Sequence, residues 1–166
     1  DVVKRARELN VELIFAQSRI GLRRKLKKNA KIYSIYDAYV HCDVVTFPSD
    51  TEGFGNPILE ACAYKKPLFV NRFPVFRAIT RKKGFDFITF RDKITESTVE
   101  KMYMILKDEE KRREMVERNY EIAKKYYSYH ILKKLLRRYL KKSEKGALGE
   151  IKKMIENHEG KVPKKE

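Results

Sequence analysis

Tryptophan is absent from the 166 residues, histidine occurs three times and cysteine twice. Two thiols, Cys42 and Cys62, fall far short of the paired framework of a small secreted domain, so a reducing compartment and a cytoplasmic protein are expected. His41, His130 and His158 lie far apart and make no HxxxH or Cys/His spacing. They read as surface or packing residues, and no metal site is expected. No apolar run approaches the ~20 residues of a membrane-spanning helix, and the charged stretch 1–7 has no signal-peptide core, so a soluble chain is expected. Acid is also scarce: 23 Asp and Glu face 39 Lys and Arg, a net charge of +16. That excess attracts polyanions in general, whether nucleic acid, lipid headgroups or phosphorylated small molecules, and its sign does not choose among them.

What is present suffices for a core. Hydrophobic residues make up 42% of the chain and include ten Tyr and nine Phe, well outside the disordered regime. The length suits one domain with a tail. Val2, Val3, Ala6 and Leu9 recur at helical spacing, and "VELIFA" then gives a short apolar strand over 13–16. Residues 19–31 carry seven basic side chains and no acid, which reads as a loop over an anion-attracting surface. "IYSIYDAYVHC" places Ile32, Ile35, Tyr36 and Tyr39 on one helix face, and "DVVTFPS" follows as a buried strand stopped by Pro48. A helix over 57–64, a strand over 68–71 and a strand "FDFITF" ending at Phe90 complete the pattern.

Short, nearly continuous apolar strands alternating with helices predict an α/β fold, a doubly wound, Rossmann-like parallel sheet. Helices over 95–106, 108–127 and 129–142 follow, giving a first region 1–142 and a tail 143–166 with a short helix after Gly146. In the helix over 129–142, Ile131, Leu132, Leu135, Leu136, Tyr139 and Leu140 oppose six Lys and Arg. Such a face is solvated or lies on anionic lipid.

The stretch "DTEGFGNPILEA", residues 50–61, concentrates the chemistry. Glu52, Gly53, Phe54 and Gly55 form the loop leaving the carboxyl end of a strand, where open α/β sheets bind ligands. Asn56 suits a helix N-cap and Pro57 the first helical position, and the glycines and free N–H groups at a helix start favour an anion such as phosphate. Glu60 falls one turn into an apolar helix and is not placed to close a capping box on Asn56, which would need its acid at Leu59. It reads either as an acceptor for paired hydroxyls, as on a ribose, or as an acid held by the helix dipole or a lysine.

The longer stretch "DVVTFPSDTEGFGNPILEACAYKKPLFVN" resembles the C-terminal, nucleotide-sugar-binding domain of GT-B glycosyltransferases. Within these it is similar to the large retaining group, group 1, that includes sucrose and glycogen synthases and many mannosyl- and glucosyltransferases. The signature of that group, Glu, seven residues, Glu, is matched by Glu52 and Glu60, and the specific likeness covers about 32–79, with looser agreement to about 140. The resemblance implies a fold, a partial GT-B C-terminal domain, and an activity, transfer of a hexose from a nucleoside diphosphate sugar to a sugar, lipid or small polyol with retention of configuration. It implies that Glu60 holds the ribose hydroxyls and that Glu52 stands by the donor sugar and the reacting centre. The backbone of Gly53, Phe54, Gly55 and Asn56 would contact sugar hydroxyls and diphosphate, and Arg19 would lie near the base. No cofactor and no metal are implied, because amides and cationic side chains stabilise the departing diphosphate.

Members of the group open this domain with a strand, a helix and a diphosphate-binding Arg and Lys, and carry an N-terminal acceptor domain. The sequence begins after all of these, so the expectation is either a fragment of such an enzyme or a remnant that does not catalyse alone, with donor binding, in need of the N-terminal domain, as its part of the reaction. The competing expectation is a basic, non-catalytic module for nucleic acid or anionic membrane, using 19–31 and 124–142. Nucleic acid is the weaker partner, since no RNP, zinc-finger or helix-turn-helix pattern supplies readout chemistry. Peripheral contact with the inner membrane surface is compatible with either function.

Overall fold

The most apolar runs become the parallel sheet. The computed structural model describes residues 1–27, 30–80 and 82–159. In it β4 (Val45–Phe47), β5 (Leu68–Asn71) and β6 (Ile88–Phe90) lie side by side in that order, all parallel. Thr46 pairs with Phe69 and Val70 with Thr89, so the three carboxyl ends, at Phe47, Asn71 and Phe90, share one edge. β5 is buried at all four positions, as a strand covered on both faces must be. Phe69, Ile88 and Phe90 pack with Ile105 and Met115, with the Phe69 and Phe90 rings stacked at 4.9 Å. Ile105 belongs to α5 (Glu96–Lys107) and Met115 to α6 (Glu109–Tyr127). The buried Asn119 completes this side: its amide accepts from the Asp86 N–H at 2.8 Å and donates to the Asp86 carbonyl, tying α6 to the segment entering β6. The arrangement is the expected Rossmann-like α/β fold.

The helix α3 (Asn56–Ala63) buries Ile58, Ala61 and Cys62 and stops in a Schellman turn. Lys65 takes the left-handed conformation at φ 51°, its N–H donating to Cys62 and that of Lys66 to Ala61. Pro67 then blocks any continuation. α1 (Val2–Glu8) is capped by Asp1, whose side chain accepts from the Val3 N–H at 2.9 Å, and ends in the same kind of turn at Asn10.

Three expectations are corrected. Residues 13–16 are not a strand: they pair with no neighbour among the described residues, and Ile14 and Phe15 are 73% and 59% exposed. An apolar run without a hydrogen-bonded neighbour has no ladder to join. The basic stretch 19–31 is not simply a loop. It holds β1 (Ile20–Gly21), β2 (Lys25–Lys27) and the start of β3 (Ala30–Ser34), with β3 parallel to β1 and antiparallel to β2. The helix expected from Ile32 therefore begins later, as α2 (Ile35–His41), because Ser34 and Asp37 form a capping box there. A short helix not anticipated, α4 (Phe76–Thr80), follows β5 and buries Phe76 and Ile79.

The chain divides into two units, Asp1–Tyr120 and Glu121–Glu166. In the second, α7 (Tyr129–Glu159) is one helix where two were expected. Gly146 and Gly149 are tolerated inside it, although each costs about 1 kcal/mol of helix propensity relative to Ala. Among the described residues no helix is long and apolar enough to cross a membrane.

Candidate functional site

Because β4, β5 and β6 are parallel, the loops that leave them converge on one edge: residues 48–55 after β4, 72–75 after β5 and 91–95 after β6. The first of these is the turn singled out in the sequence. Its cap differs from expectation. Gly55, at φ 80° and ψ 56°, is the N-cap of α3, so Asn56 is the first helical residue rather than the cap, and Pro57 is the second. No side chain caps this helix, and the Ile58 N–H donates to the Gly55 carbonyl at 3.0 Å.

The two glycines of the turn are not equivalent. Gly55 is buried and left-handed, and a Cβ there would stand 2.8 Å from the Phe73 ring and 3.3 Å from Ile58, so packing and backbone both demand glycine. A Cβ on Gly53 would meet nothing within 4 Å. Space is therefore open at Gly53, and beside it Phe54 is 44% exposed. Glu52 is half-buried at the start of this open segment.

Glu60 has a partner that the sequence reading did not identify. Tyr39 Oη, from α2, donates to Glu60 Oε2 at 2.6 Å. Tyr39 is buried and stacks on Tyr64 at 5.5 Å, and Tyr64 stacks on Tyr36 at 5.9 Å. Burial, and then the neighbouring Glu60 carboxylate, push the Tyr39 hydroxyl well above its ordinary range, so it stays a donor across physiological pH. Among the described residues no lysine forms an ion pair with Glu60, whose hydrogen-bond partner is the phenol. The signal available in the sequence was Tyr39 itself, on the inward face of its helix.

Tyr39 is placed in turn by the capping of α2. Asp37 accepts from the Ser34 N–H and hydroxyl, each at 2.8 Å, and Arg24 Nε reaches both of its oxygens at 2.9 Å. The Arg24 guanidinium, then the Ser34 N–H, hold the Asp37 carboxyl well below the usual carboxylate range against the opposing effect of its burial. One member of the basic stretch is thus committed to structure. Arg19 is exposed just before β1, where its carbonyl accepts from the Tyr33 N–H at 2.7 Å. No hydrogen bond or ion pair among the described residues joins it to residues 52–60.

Sequence reasoning also passed over a cleft of about 620 Å³ at the same edge, lined by Asp50, Asn71, Arg72, Phe73, Arg77 and Arg91 among others. The Asn71 amide donates to Asp50 at 2.7 Å. Phe73 joins the cleft to the turn, since its ring is the one packed against Gly55.

The comparisons with known proteins address the same segment. Residues 14–122 match the family described as glycosyl transferases group 1. The chain is 31% identical over 134 residues, 73% of its length, to a mannosylglucosylglycerate synthase of Thermotoga maritima. The chain belongs to the group 1 glycosyltransferases. A second mannosylglucosylglycerate synthase, from Petrotoga mobilis, is 36% identical over 63 residues, 38% of this chain and 15% of that protein. The chain spans about a third of the Thermotoga relative, 31% of its length. No solved structure matches. Within this group 1 chain, the family match contains the whole of β4, the turn and α3, together with Tyr39 and the cleft.

Proposed function

We propose that the chain is the donor-binding part of a retaining glycosyltransferase that moves a hexose from a nucleoside diphosphate sugar, with UDP, GDP or ADP as carrier, to a small hydroxylated acceptor. The observation that carries this reading is the Tyr39–Glu60 pair. One carboxylate oxygen is fixed by a buried phenol, which holds the group in place at the helix start for hydroxyls such as those of a ribose. Glu52, eight positions earlier at the mouth of the turn, stands by the sugar and the reacting centre as a positioning and charge-stabilising group. The open space at Gly53 and the exposed Phe54 suit a ligand lying along the turn, with the backbone of Gly55 and Asn56 completing the contact. Arg19, exposed just before β1, is the residue assigned to the base. The leaving diphosphate is stabilised by amides and cationic side chains, without a metal or cofactor.

The relatives' name supports a glycoside of a hydroxy acid as acceptor and mannose as the transferred sugar. Complete turnover requires the acceptor-binding remainder of the enzyme. The test is titration of the chain with GDP-mannose, UDP-glucose and ADP-glucose, followed by NMR or melting. At least one should bind saturably, and Glu60→Ala should weaken it about tenfold or more, the loss of roughly one charge-assisted hydrogen bond. Absence of binding by all three at millimolar concentration overturns the reading.

A further inference from the structure

The cleft beside the turn brings three guanidinium side chains, Arg72, Arg77 and Arg91, to the carboxyl edge of β5 and β6. Arg91 Nε lies 3.8 Å from Asp92, whereas Arg72 and Arg77 have no carboxylate partner among the described residues. The other acid in the wall, Asp50, already accepts from Asn71. These two exposed guanidiniums line one cavity, and their planar forks match the paired oxygens of a carboxylate or a phosphate.

Asn71, in the same wall, is only 4% exposed; its amide donates to Asp50, and its Oδ1 is buried with no donor. The negative oxygens of a bound anion supply what the arginines lack. The cleft takes Asp50 from the same loop as Glu52 and lies next to Gly55, against which its Phe73 ring packs.

We propose that Arg72, Arg77 and Arg91 form an oxyanion subsite for the carboxylate or phosphate group of the acceptor, held beside the donor turn. Assigning the anion to the acceptor rests on the glycosyl-transfer reading above, while the subsite itself rests on the cleft alone. The test follows the arginine Nε–H signals of the chain by NMR during separate titrations with sodium glycerate and with inorganic phosphate. Sodium chloride at matched ionic strength and neutral glycerol serve as controls.

Glycerate or phosphate should shift the Arg72, Arg77 and Arg91 signals saturably, and the tighter of the two names the acidic group. Glycerol and chloride should not. Replacing Arg72→Gln and Arg77→Gln together should raise the dissociation constant at least tenfold, and lysine at both positions should recover only part, having the charge without the fork. Binding should persist when a nucleotide sugar saturates the turn. Shifts no larger than those from chloride, or an unchanged dissociation constant in the double variant, overturn the subsite. Displacement of glycerate by the nucleotide sugar overturns the assignment to the acceptor. Loss of nucleotide-sugar binding with the anion titration intact sinks the donor reading alone and leaves the subsite standing.

Discussion

The sheet β4–β5–β6 buries every residue of its central strand, whereas the sheet β1–β3–β2 leaves Leu26 76% exposed on its edge. Both have three strands, yet one is a core covered on two faces and the other is a small frame standing next to α2. The difference separates two jobs. The buried sheet fixes where the carboxyl-edge loops emerge, and the exposed one, through Arg24 and the cap at Ser34 and Asp37, sets where Tyr39 reaches Glu60.

The largest effect should come from the buried sheet. Leu68 and Ile88 have no exposed surface, so Leu68→Ala or Ile88→Ala should cost about 2–5 kcal/mol through lost burial and the cavity left behind. Leu26→Ala in β2 should stay within about 0.5 kcal/mol, as surface changes do. Equilibrium unfolding in urea measures both, and equal costs would break the division of labour drawn between the sheets.

Next in size is the pair of glycines at the junction of sheet and site. Gly55→Ala places a Cβ 2.8 Å from Phe73 at φ 80°, and should destabilise by about 1–3 kcal/mol. Gly53→Ala meets open space and should change stability by less than about 1 kcal/mol. Its effect should appear in nucleotide-sugar affinity instead, because the added methyl enters the volume that a ligand along the turn would use. Affinity unchanged by Gly53→Ala together with unchanged stability would remove Gly53 from the site.

These contrasts also show how far the fold could be read from the chain. Continuous apolar runs such as "LFVN" identify β5 because burial on both faces leaves no room for a polar residue until Asn71. The same rule misleads at 13–16, since an apolar run has the composition of a strand whether or not a neighbour pairs with it. The antiparallel pair of β2 and β3 is hidden by its lysines, which periodicity cannot distinguish from a solvated loop. At the site, the acids at 52 and 60 are visible because their spacing is local. Tyr39 and the three arginines are not, because Tyr39 and Glu60 are 21 positions apart and the cleft draws its lining from three separate segments of the chain.

Tyr39→Phe tests the link between frame and site with a smaller change. It removes a hydrogen bond to a half-buried carboxylate and should cost about 1–2 kcal/mol of stability. Nucleotide-sugar binding should weaken less than in Glu60→Ala, since the carboxylate remains but is no longer held. A Tyr39→Phe protein that binds as tightly as the parent would mean that the phenol only packs.

The smallest effect expected near neutral pH lies in the frame itself, and acid should expose it. Asp37 is depressed by Arg24 and the Ser34 N–H in the folded state, whereas in the unfolded chain it titrates at about 3.9. A depressed carboxyl contributes stability that is fully present above that unfolded value and is lost as pH falls toward the folded one. Melting temperature should therefore be flat with respect to this group from pH 7 down to about 5 and fall below about pH 4. In Arg24→Gln the fall attributable to Asp37 should be shallower, because the main cause of its depression is gone. Near neutral pH the variant should melt only slightly below the parent, since Arg24 is largely exposed. Superimposable acid profiles for parent and variant would detach Arg24 from the frame and leave Ser34 alone to hold Asp37, and through it the start of the helix that carries Tyr39.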